Sequence, residues 1–318
     1  MKRPNIPSGV HPVEQGHYVL PTREVLKLME TLMKTVSNRS PGIIVYGRPR
    51  IGKSSSIQFA MRYIPEKLGA PIPIFSTSCN LYRVPSEEKF FLDILSDFKF
   101  PFPSKRKPSN MRSQIVNLLI EQGEKSKLRR VVLIIDEAHR LTELHYNWLI
   151  DIYNELDRAK ISLTVISVGQ EELLSRRTFF LEQKKSQIIG RFMTKEHQFY
   201  GIRTLEDIKF CLKCYDQVSE YPEGSGWSFT RYYFPKAFEE GHRLEKCAAD
   251  LHSHFKDIRR EYGLSKSLEI PMEYFAYTVE NAMKQGYAND IYWPTQDDWR
   301  NAIKDSGYIE SEIYMALA

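Results

Sequence analysis

The sequence predicts an α/β fold, with a parallel sheet of five strands between helices and a small all-helical domain after it. Two apolar runs, 43–46 and 131–135, have no polar alternation, which is typical of strands buried on both faces of a parallel sheet. Each run is followed at once by polar residues suited to phosphate chemistry. After residue 203, helical periodicity dominates. We therefore expect the sheet in the first two hundred residues and helices in the remainder.

Residues 47–54, here called the phosphate loop, follow the first apolar run. They read Gly-Arg-Pro-Arg-Ile-Gly-Lys-Ser, a complete G-x-x-x-x-G-K-[ST] string, and a helix-compatible stretch at 55–63 comes next. Glycines let successive backbone N–H groups turn toward phosphate oxygens, and the helix presents its positive end to them. Lys53 is expected to reach the terminal phosphates and Ser54 to ligate Mg²⁺. The motif predicts a nucleotide site.

The second apolar run ends in Asp136 and Glu137, here called the acid pair. Ligands collect at the carboxyl ends of parallel strands, so this position suits a catalytic role. We expect Asp136 to hold Mg²⁺ through water and Glu137 to polarise the attacking water. The eighty or so residues between the two motifs leave room for a further strand and helix.

The remaining elements follow from local patterns. Further strands are predicted at 72–77, 163–168 and 197–201, and Pro73 favours an edge position for the first of them. Helices are predicted at 87–98, where Ser86 is the cap, and in the ranges 111–124, 144–159, 171–189, 205–218, 235–262 and 271–285. We expect an N-terminal arm at 1–20, a nucleotide-binding domain at 21–202, a helical lid at 203–286 and a C-terminal tail at 287–318.

Composition excludes several classes of protein. With 318 residues, 42% of them hydrophobic and 12% aromatic, the chain can bury a full core and is not disordered. The sequence contains no stretch of eighteen apolar residues, so no membrane span is predicted. The first residues lack the apolar region of a secretion signal. Four cysteines are too few for a disulfide scaffold. We expect a cytoplasmic protein with no membrane partner.

The phosphate loop, the acid pair, the strand ending in Gly169-Gln170 and the helical lid together resemble the AAA+ ATPases, particularly the transposition regulators of the TnsC, TniB and MuB type. The likeness covers about residues 20–285 and includes the blocks 133–139, 168–173 and 234–244. It implies an AAA+ P-loop core with a lid, ATP and Mg²⁺ as cofactors, and hydrolysis of ATP. The nucleotide-binding residues that it implies are Gly47, Arg48, Pro49, Arg50, Ile51, Gly52, Lys53, Ser54, Ser55, Asp136, Gln170 and Arg243.

Three further roles come from the same resemblance. Either Ser167 or Gln170 would be the sensor that touches the γ-phosphate, and the sequence does not choose between them. Arg191 resembles an arginine finger that enters a neighbouring subunit's site and joins Lys53 and Glu137 in catalysis. Arg243 resembles the second sensor of the lid.

Arg48 and Arg50 depart from the pattern of the phosphate loop. Their charges could tighten triphosphate binding, or their side chains could point to solvent or to acidic residues of a neighbouring subunit. The second arrangement is favoured, because the backbone of such a loop cradles the phosphates while its middle side chains usually point outward.

Residues 99–130, here called the basic segment, concentrate positive charge. They contain nine basic and two acidic residues, a net charge of +7 against +5 for the whole chain. Such a tract is an electrostatic footprint for phosphates, although an ordinary solvated loop has the same composition. In the look-alike regulators, loops of this region track double-stranded DNA. The resemblance implies DNA contacts by Lys99, Lys105, Arg106, Lys107 and Arg112.

The sequence thus predicts an AAA+ regulator that oligomerises on double-stranded DNA as a ring or filament and disassembles on ATP hydrolysis. Its expected partners are further copies of itself, a transposase, and a target-selection protein or RNA-guided complex. The alternative is a helicase-loader or origin-recognition-like switch protein. A secretion or signalling ATPase without a DNA role is disfavoured by the basic segment.

Overall fold

The computed structural model describes residues 3–100, 107–264 and 267–317. The chain divides into two compact units. One, the sheet unit, comprises Lys27–Pro49 and Lys53–Phe199. The other, the helical unit, comprises Met1–Leu26, Arg50–Gly52 and Tyr200–Ala318. Three residues in the middle of the phosphate loop are therefore grouped with the helices.

The sheet unit is built on five parallel strands, arranged in the order β2-β3-β4-β1-β5. Their interiors are apolar and buried except at the edges, as expected for a sheet that is covered on both faces. The edge position of β2 confirms the prediction made from Pro73. The strands are β1 (Gly42–Tyr46), β2 (Ile74–Ser78), β3 (Arg130–Asp136), β4 (Ser162–Gly169) and β5 (Lys195–Gln198).

Helices make up most of the rest of the described chain. The sheet unit contains most of α2 and all of α3–α8, and the helical unit contains α1 and α9–α15. The helices are α1 (Pro12–Gln15), α2 (Arg23–Ser37), α3 (Lys53–Lys67), α4 (Glu87–Asp97), α5 (Pro108–Lys125), α6 (Glu143–Arg158), α7 (Glu172–Glu182), α8 (Ser186–Phe192), α9 (Leu205–Gln217), α10 (Phe229–Tyr233), α11 (Pro235–Glu239), α12 (Ala248–Glu261), α13 (Met272–Ala288), α14 (Gln296–Asp305) and α15 (Tyr308–Leu317).

Three boundaries in the sheet unit differ from prediction. The helix α5 begins at Pro108 rather than at 111, because proline suits the first helical position, where no N–H is needed. The single helix predicted at 171–189 is two, and Lys184 turns the chain between them with a φ of 55°. The fifth strand lies at Lys195–Gln198, earlier than the predicted 197–201.

In the helical unit, α9 and α13 match the predicted helices closely, but the predicted helix 235–262 is interrupted. It consists of α11, a turn at Gly241 with a φ of 91°, a 3₁₀ segment at Leu244–Cys247, and α12. Glycine adopts a positive φ without steric cost, and a residue in this conformation commonly terminates a helix. The helical periodicity of the sequence did not predict this interruption.

The predicted arm and tail both pack into the helical unit. Val13 and Leu20 of the arm lie in its apolar core, together with Trp299 and Tyr308 of the tail. A buried ion pair at 2.5 Å joins Arg259 of α12 to Glu312 of α15. The compact units therefore include segments that the sequence placed outside the lid.

Candidate functional site

The order of the strands brings the two motifs to one edge of the sheet. The phosphate loop follows β1 and the acid pair ends β3, and β4 lies between these strands and pairs with both. Because the carboxyl ends of parallel strands share one edge, the end of β4 separates the phosphate loop from the acid pair. Nucleotide sites occupy this position in open α/β sheets.

The side chain of Lys53 forms hydrogen bonds back to the start of the phosphate loop. Lys53, the first residue of α3, donates hydrogen bonds from Nζ to the carbonyls of Gly47 at 2.8 Å and Arg48 at 2.6 Å. Gly52 has a φ of 94°, which a residue with a side chain rarely adopts. Ser54 is half-buried in the first turn of α3, and Ser55 is exposed.

Opposing influences act on the charge of Lys53. Burial lowers its pKa from the ordinary 10.5, and nearby carboxylates raise it in partial compensation. The carboxylates belong to Asp136, Glu137, Glu171 and Glu172. The lysine of one motif is thus electrostatically coupled to the acid pair of the other.

The acid pair is held by its own turn. The Asp136 carboxylate accepts a hydrogen bond from the N–H of Glu137 at 2.8 Å, and Glu137 has a left-handed φ of 52°. The Glu137 Oε2 lies 3.1 Å from Nη2 of Arg140, an ion pair that lacks hydrogen-bond geometry. Sequence reasoning missed Arg140, although its position three residues after Glu137 is a local signal.

His139 joins this turn to the end of β4. Its Nδ1 accepts a hydrogen bond from the N–H of Gln170 at 3.4 Å, and its Nε2 lies 3.6 Å from the Glu137 carboxylate. Burial lowers the pKa of His139, against the raising effect of Glu137. A Cβ on Gly169 would lie 3.1 Å from the backbone nitrogen of His139, so glycine permits the close packing.

The two sensor candidates differ in where they lie on β4. Ser167 pairs in register with Ile44 and Ile135 inside the sheet, where it is fully buried. Its hydroxyl has no hydrogen-bond partner within the described part of the chain. Gln170 follows the last residue of β4 and is half-buried. Of the two, only Gln170 lies at the edge where the phosphate loop begins.

Arg191 rests against its own subunit. It lies in α8, and its Nη2 donates to the side-chain oxygen of Asn154 at 3.1 Å, while its guanidinium is 5.5 Å from the centre of the Tyr153 ring. Both partners belong to α6. A role in a neighbouring subunit requires that these contacts be exchanged for others.

Arg243 is engaged within the helical unit. Its Nη1 donates to the carbonyls of Phe238 at 2.7 Å and His242 at 2.6 Å, and its guanidinium stacks 3.5 Å from the centre of the Phe238 ring. The predicted sensor role of Arg243 stays a prediction.

The two additional arginines of the phosphate loop differ in environment. Arg48 is half-buried, and Arg50 is exposed and forms an ion pair with Glu273 at 3.0 Å. This partner is an acid of the same chain, whereas the prediction had offered the triphosphate, solvent or a neighbouring subunit. Glu273 lies 223 residues away and gave no signal in the sequence.

The predicted DNA-contacting residues are described only in part. Lys105 and Arg106 lie outside the described residues, while Lys99 and Lys107 are exposed. Arg112 forms an ion pair with Asp151 at 2.5 Å. Other charges of the basic segment are also paired within the chain, Lys125 with Glu121 and Arg129 with Glu124. Within its described residues, the segment therefore exposes less unpaired positive charge than its composition suggests.

These features suit a triphosphate with Mg²⁺. The half-buried cation of Lys53 follows the second glycine of the phosphate loop, and the carboxylate of Asp136 favours its charged form. A hydroxyl and a carboxylate, from Ser54 and Asp136, are the oxygen donors that Mg²⁺ prefers.

Comparison with known proteins identifies the fold. A family model described as an AAA domain matches residues 37–176, a range that contains both the phosphate loop and the acid pair. The chain has the AAA+ P-loop fold. The AAA+ core is the parallel sheet with its helices, and the helical region that follows corresponds to the lid.

Individual relatives are distant. An ORC1-type DNA replication protein of Thermoplasma acidophilum is 26% identical over 150 residues, which are 47% of this chain and 40% of that protein. The structure of the Aeropyrum pernix ORC2 protein with ADPNP and ADP is 13% identical and aligns with a TM-score of 0.59 over 93% of this chain and 71% of that one. The Aeropyrum pernix ORC1 protein in complex with DNA, 12% identical, aligns over 89% of this chain and 64% of that one, with a TM-score of 0.46.

The described residues contain no helix long and apolar enough to cross a membrane.

Proposed function

We propose that the chain is an ATP-dependent, DNA-associated AAA+ switch protein, in which ATP favours assembly on DNA and hydrolysis reverses it. The observation that carries the proposal is the position of the phosphate loop and the acid pair at one sheet edge, on either side of β4. The AAA domain match over the same residues supports it.

Each residue then has a defined task. Lys53 and the N–H groups of the phosphate loop hold the phosphates. Ser54, and Asp136 through water, would hold Mg²⁺, which would neutralise phosphate charge. Glu137 accepts the proton of the attacking water. Gln170, at the end of β4, contacts the γ-phosphate, and Arg191 enters the site of the next subunit. Because two chains complete one site, nucleotide binding favours their association.

The finer role that the comparisons favour is that of an origin-recognition-like switch or helicase loader. The relative matched over 150 residues is an ORC1-type replication protein, and the alignment with the ORC2 protein extends the likeness of fold to 93% of this chain. In this role the assembly on DNA would be a short or closed one that recruits a further protein.

A second candidate role is the regulation of transposition, with a transposase and a target-selection protein or RNA-guided complex as partners. The block 234–244 favours it by resemblance, because it reads Phe-Pro-Lys-Ala-Phe-Glu-Glu-Gly-His-Arg-Leu. In this role the chain would form continuous filaments on double-stranded DNA.

Electron microscopy of the chain with duplex DNA and a non-hydrolysable ATP analogue tests both roles. Closed rings or short arcs on DNA support the initiator-like role, and continuous filaments support the regulator. Particles without DNA, at several salt concentrations, would contradict the DNA-associated function itself. The Lys53→Ala variant, which lacks the phosphate-binding cation, is the control for nucleotide dependence.

A further inference from the structure

Arg50, in the middle of the phosphate loop, is tied to the start of α13 twice. Its Nη1 pairs with the Glu273 carboxylate at 3.0 Å, and its carbonyl accepts a hydrogen bond from the N–H of Glu273 at 3.3 Å. Arg50 has a left-handed φ of 62°, an uncommon conformation for a residue with a side chain. Residues 50–52 group with the helical unit, as Glu273 does.

Glu273 is well placed to hold this contact. It is the second residue of α13, where the first N–H groups of a helix have no partner within the helix, and the Arg50 carbonyl satisfies one of them. Its carboxylate also accepts a hydrogen bond from the Tyr277 hydroxyl at 3.0 Å, one turn along. Tyr277 thereby fixes the rotamer that faces Arg50.

The carboxylate stabilises the charge of the loop arginine. Glu273 is the main influence that raises the pKa of Arg50 above its ordinary value. The Arg50 side chain is 57% exposed, and exposed ion pairs are weak. Guanidinium–phosphate hydrogen bonds are among the stronger ones in proteins, so a phosphate group at the loop can displace the carboxylate.

We propose that the Arg50–Glu273 pair is a nucleotide-responsive latch, closed without triphosphate and opened when Arg50 turns to the phosphates. The inference rests on the proposed function, since it requires that the phosphate loop bind a nucleotide. Opening breaks the ion pair between the two side chains. The backbone hydrogen bond from Glu273 to Arg50 then remains as the contact between α13 and the loop. The first turn of α13 thus reports whether a triphosphate occupies the loop.

The affinity of the full chain for ATP and ADP tests the latch. Glu273→Gln removes the competing charge and should tighten ATP binding by roughly three- to fivefold, the strength of an exposed ion pair, with less effect on ADP. Tyr277→Phe should act in the same direction and more weakly, because it only loosens the carboxylate. Glu310→Gln, an exposed acid in the first turn of α15, is the matched control and should bind as the parental chain does.

Hydrogen exchange supplies a readout independent of affinity. In the parental chain, amides at 272–277 should exchange faster with ATP than with ADP or without nucleotide. In Arg50→Ala, saturating ATP should protect the phosphate loop and leave α13 unchanged. If the parental loop is protected by ATP and α13 shows no response, the latch is contradicted and the proposed function stands. If neither nucleotide protects the loop, the proposed function fails as well.

Discussion

The guanidinium of Arg140 lies between the proposed general base and the edge strand of the sheet. Its Nη2 is 3.1 Å from Oε2 of Glu137, and its Nη1 donates a hydrogen bond to the carbonyl of Cys79, the residue after β2, at 3.3 Å. The carboxylate that is expected to activate water is thus engaged by a cation of its own turn. Such a contact restrains a base, because the ion pair must loosen before the carboxylate accepts a proton.

Arg140→Ala should therefore raise the basal rate of ATP hydrolysis. The gain should be at most about fivefold, because a pair with both side chains about one-third exposed contributes up to ~1 kcal/mol. Steady-state kinetics should show the change in kcat and not in the KM for ATP. A fall in kcat would indicate that Arg140 positions Glu137 for catalysis instead of restraining it. Arg83→Ala, an exposed arginine outside the turn, is the control.

Arg191 can be tested by mixing two inactive variants. Arg191→Ala keeps its own phosphate loop but offers no finger, whereas Lys53→Ala offers a finger but holds no nucleotide. If Arg191 acts in a neighbouring subunit, the mixture should regain part of the hydrolysis rate that each variant lacks alone. Mixtures no more active than either variant would show that the Arg191–Asn154 contact has a structural role only.

Lys53 predicts a particular pH dependence of nucleotide binding. Because burial lowers its pKa below the ordinary 10.5, its positive charge, present at neutral pH, is lost as the pH rises through the lowered value. ATP affinity should therefore fall at a lower pH than the ordinary lysine value of 10.5 would predict. Lys53→Arg stays charged and should bind more weakly at pH 8 but with a flatter profile. If calorimetry found the same pH dependence of ATP affinity for Lys53→Arg and for the parental chain, this role of the lysine charge would be contradicted.

His11 predicts acid sensitivity of the helical unit. It is buried among the rings of Tyr221, Phe229, Tyr232 and Tyr233, and burial together with Arg3 lowers its pKa from 6.5 to about 4. The unfolded chain then binds the proton more readily, so the contribution to stability is present above pH 6.5 and is lost as the pH falls toward 4. The shift corresponds to roughly 3 kcal/mol.

Denaturant unfolding between pH 4 and pH 7 measures this contribution. His11→Gln should flatten the fall in the free energy of unfolding, whatever its effect on stability at pH 7. His17→Gln, at an exposed position of the same segment, is the matched control. An equal fall in both variants and in the parental chain would assign the acid sensitivity to other groups.

The sheet unit could be predicted because its signals are local. Apolar runs, a proline before β2 and a serine before α4 each act within a few residues, and the strands and the α4 cap appear close to where they were expected. The helical unit was harder. Its interruption at Gly241 depends on a backbone conformation that periodicity does not encode, and the burial of Trp299 and Tyr308 depends on contacts with distant helices.

The candidate site divides in the same way. Lys53, Ser54 and the acid pair stand in contiguous motifs, so the sequence was sufficient to propose them as site residues. Glu273 and Asn154 could not be found, because they meet Arg50 and Arg191 through long-range packing and belong to no motif. The positions of Ser167 inside the sheet and Gln170 at its edge could be read only from the register of β4.

The association of Glu137→Gln with duplex DNA tests the central claim most directly. This variant should retain ATP and lose hydrolysis by about a hundredfold or more, the usual contribution of a general base. Analytical ultracentrifugation with labelled duplex should then find a stable multi-subunit complex with ATP, and little with ADP or in Glu137→Gln combined with Lys53→Ala. A chain that stays monomeric and off DNA with saturating ATP would contradict the account.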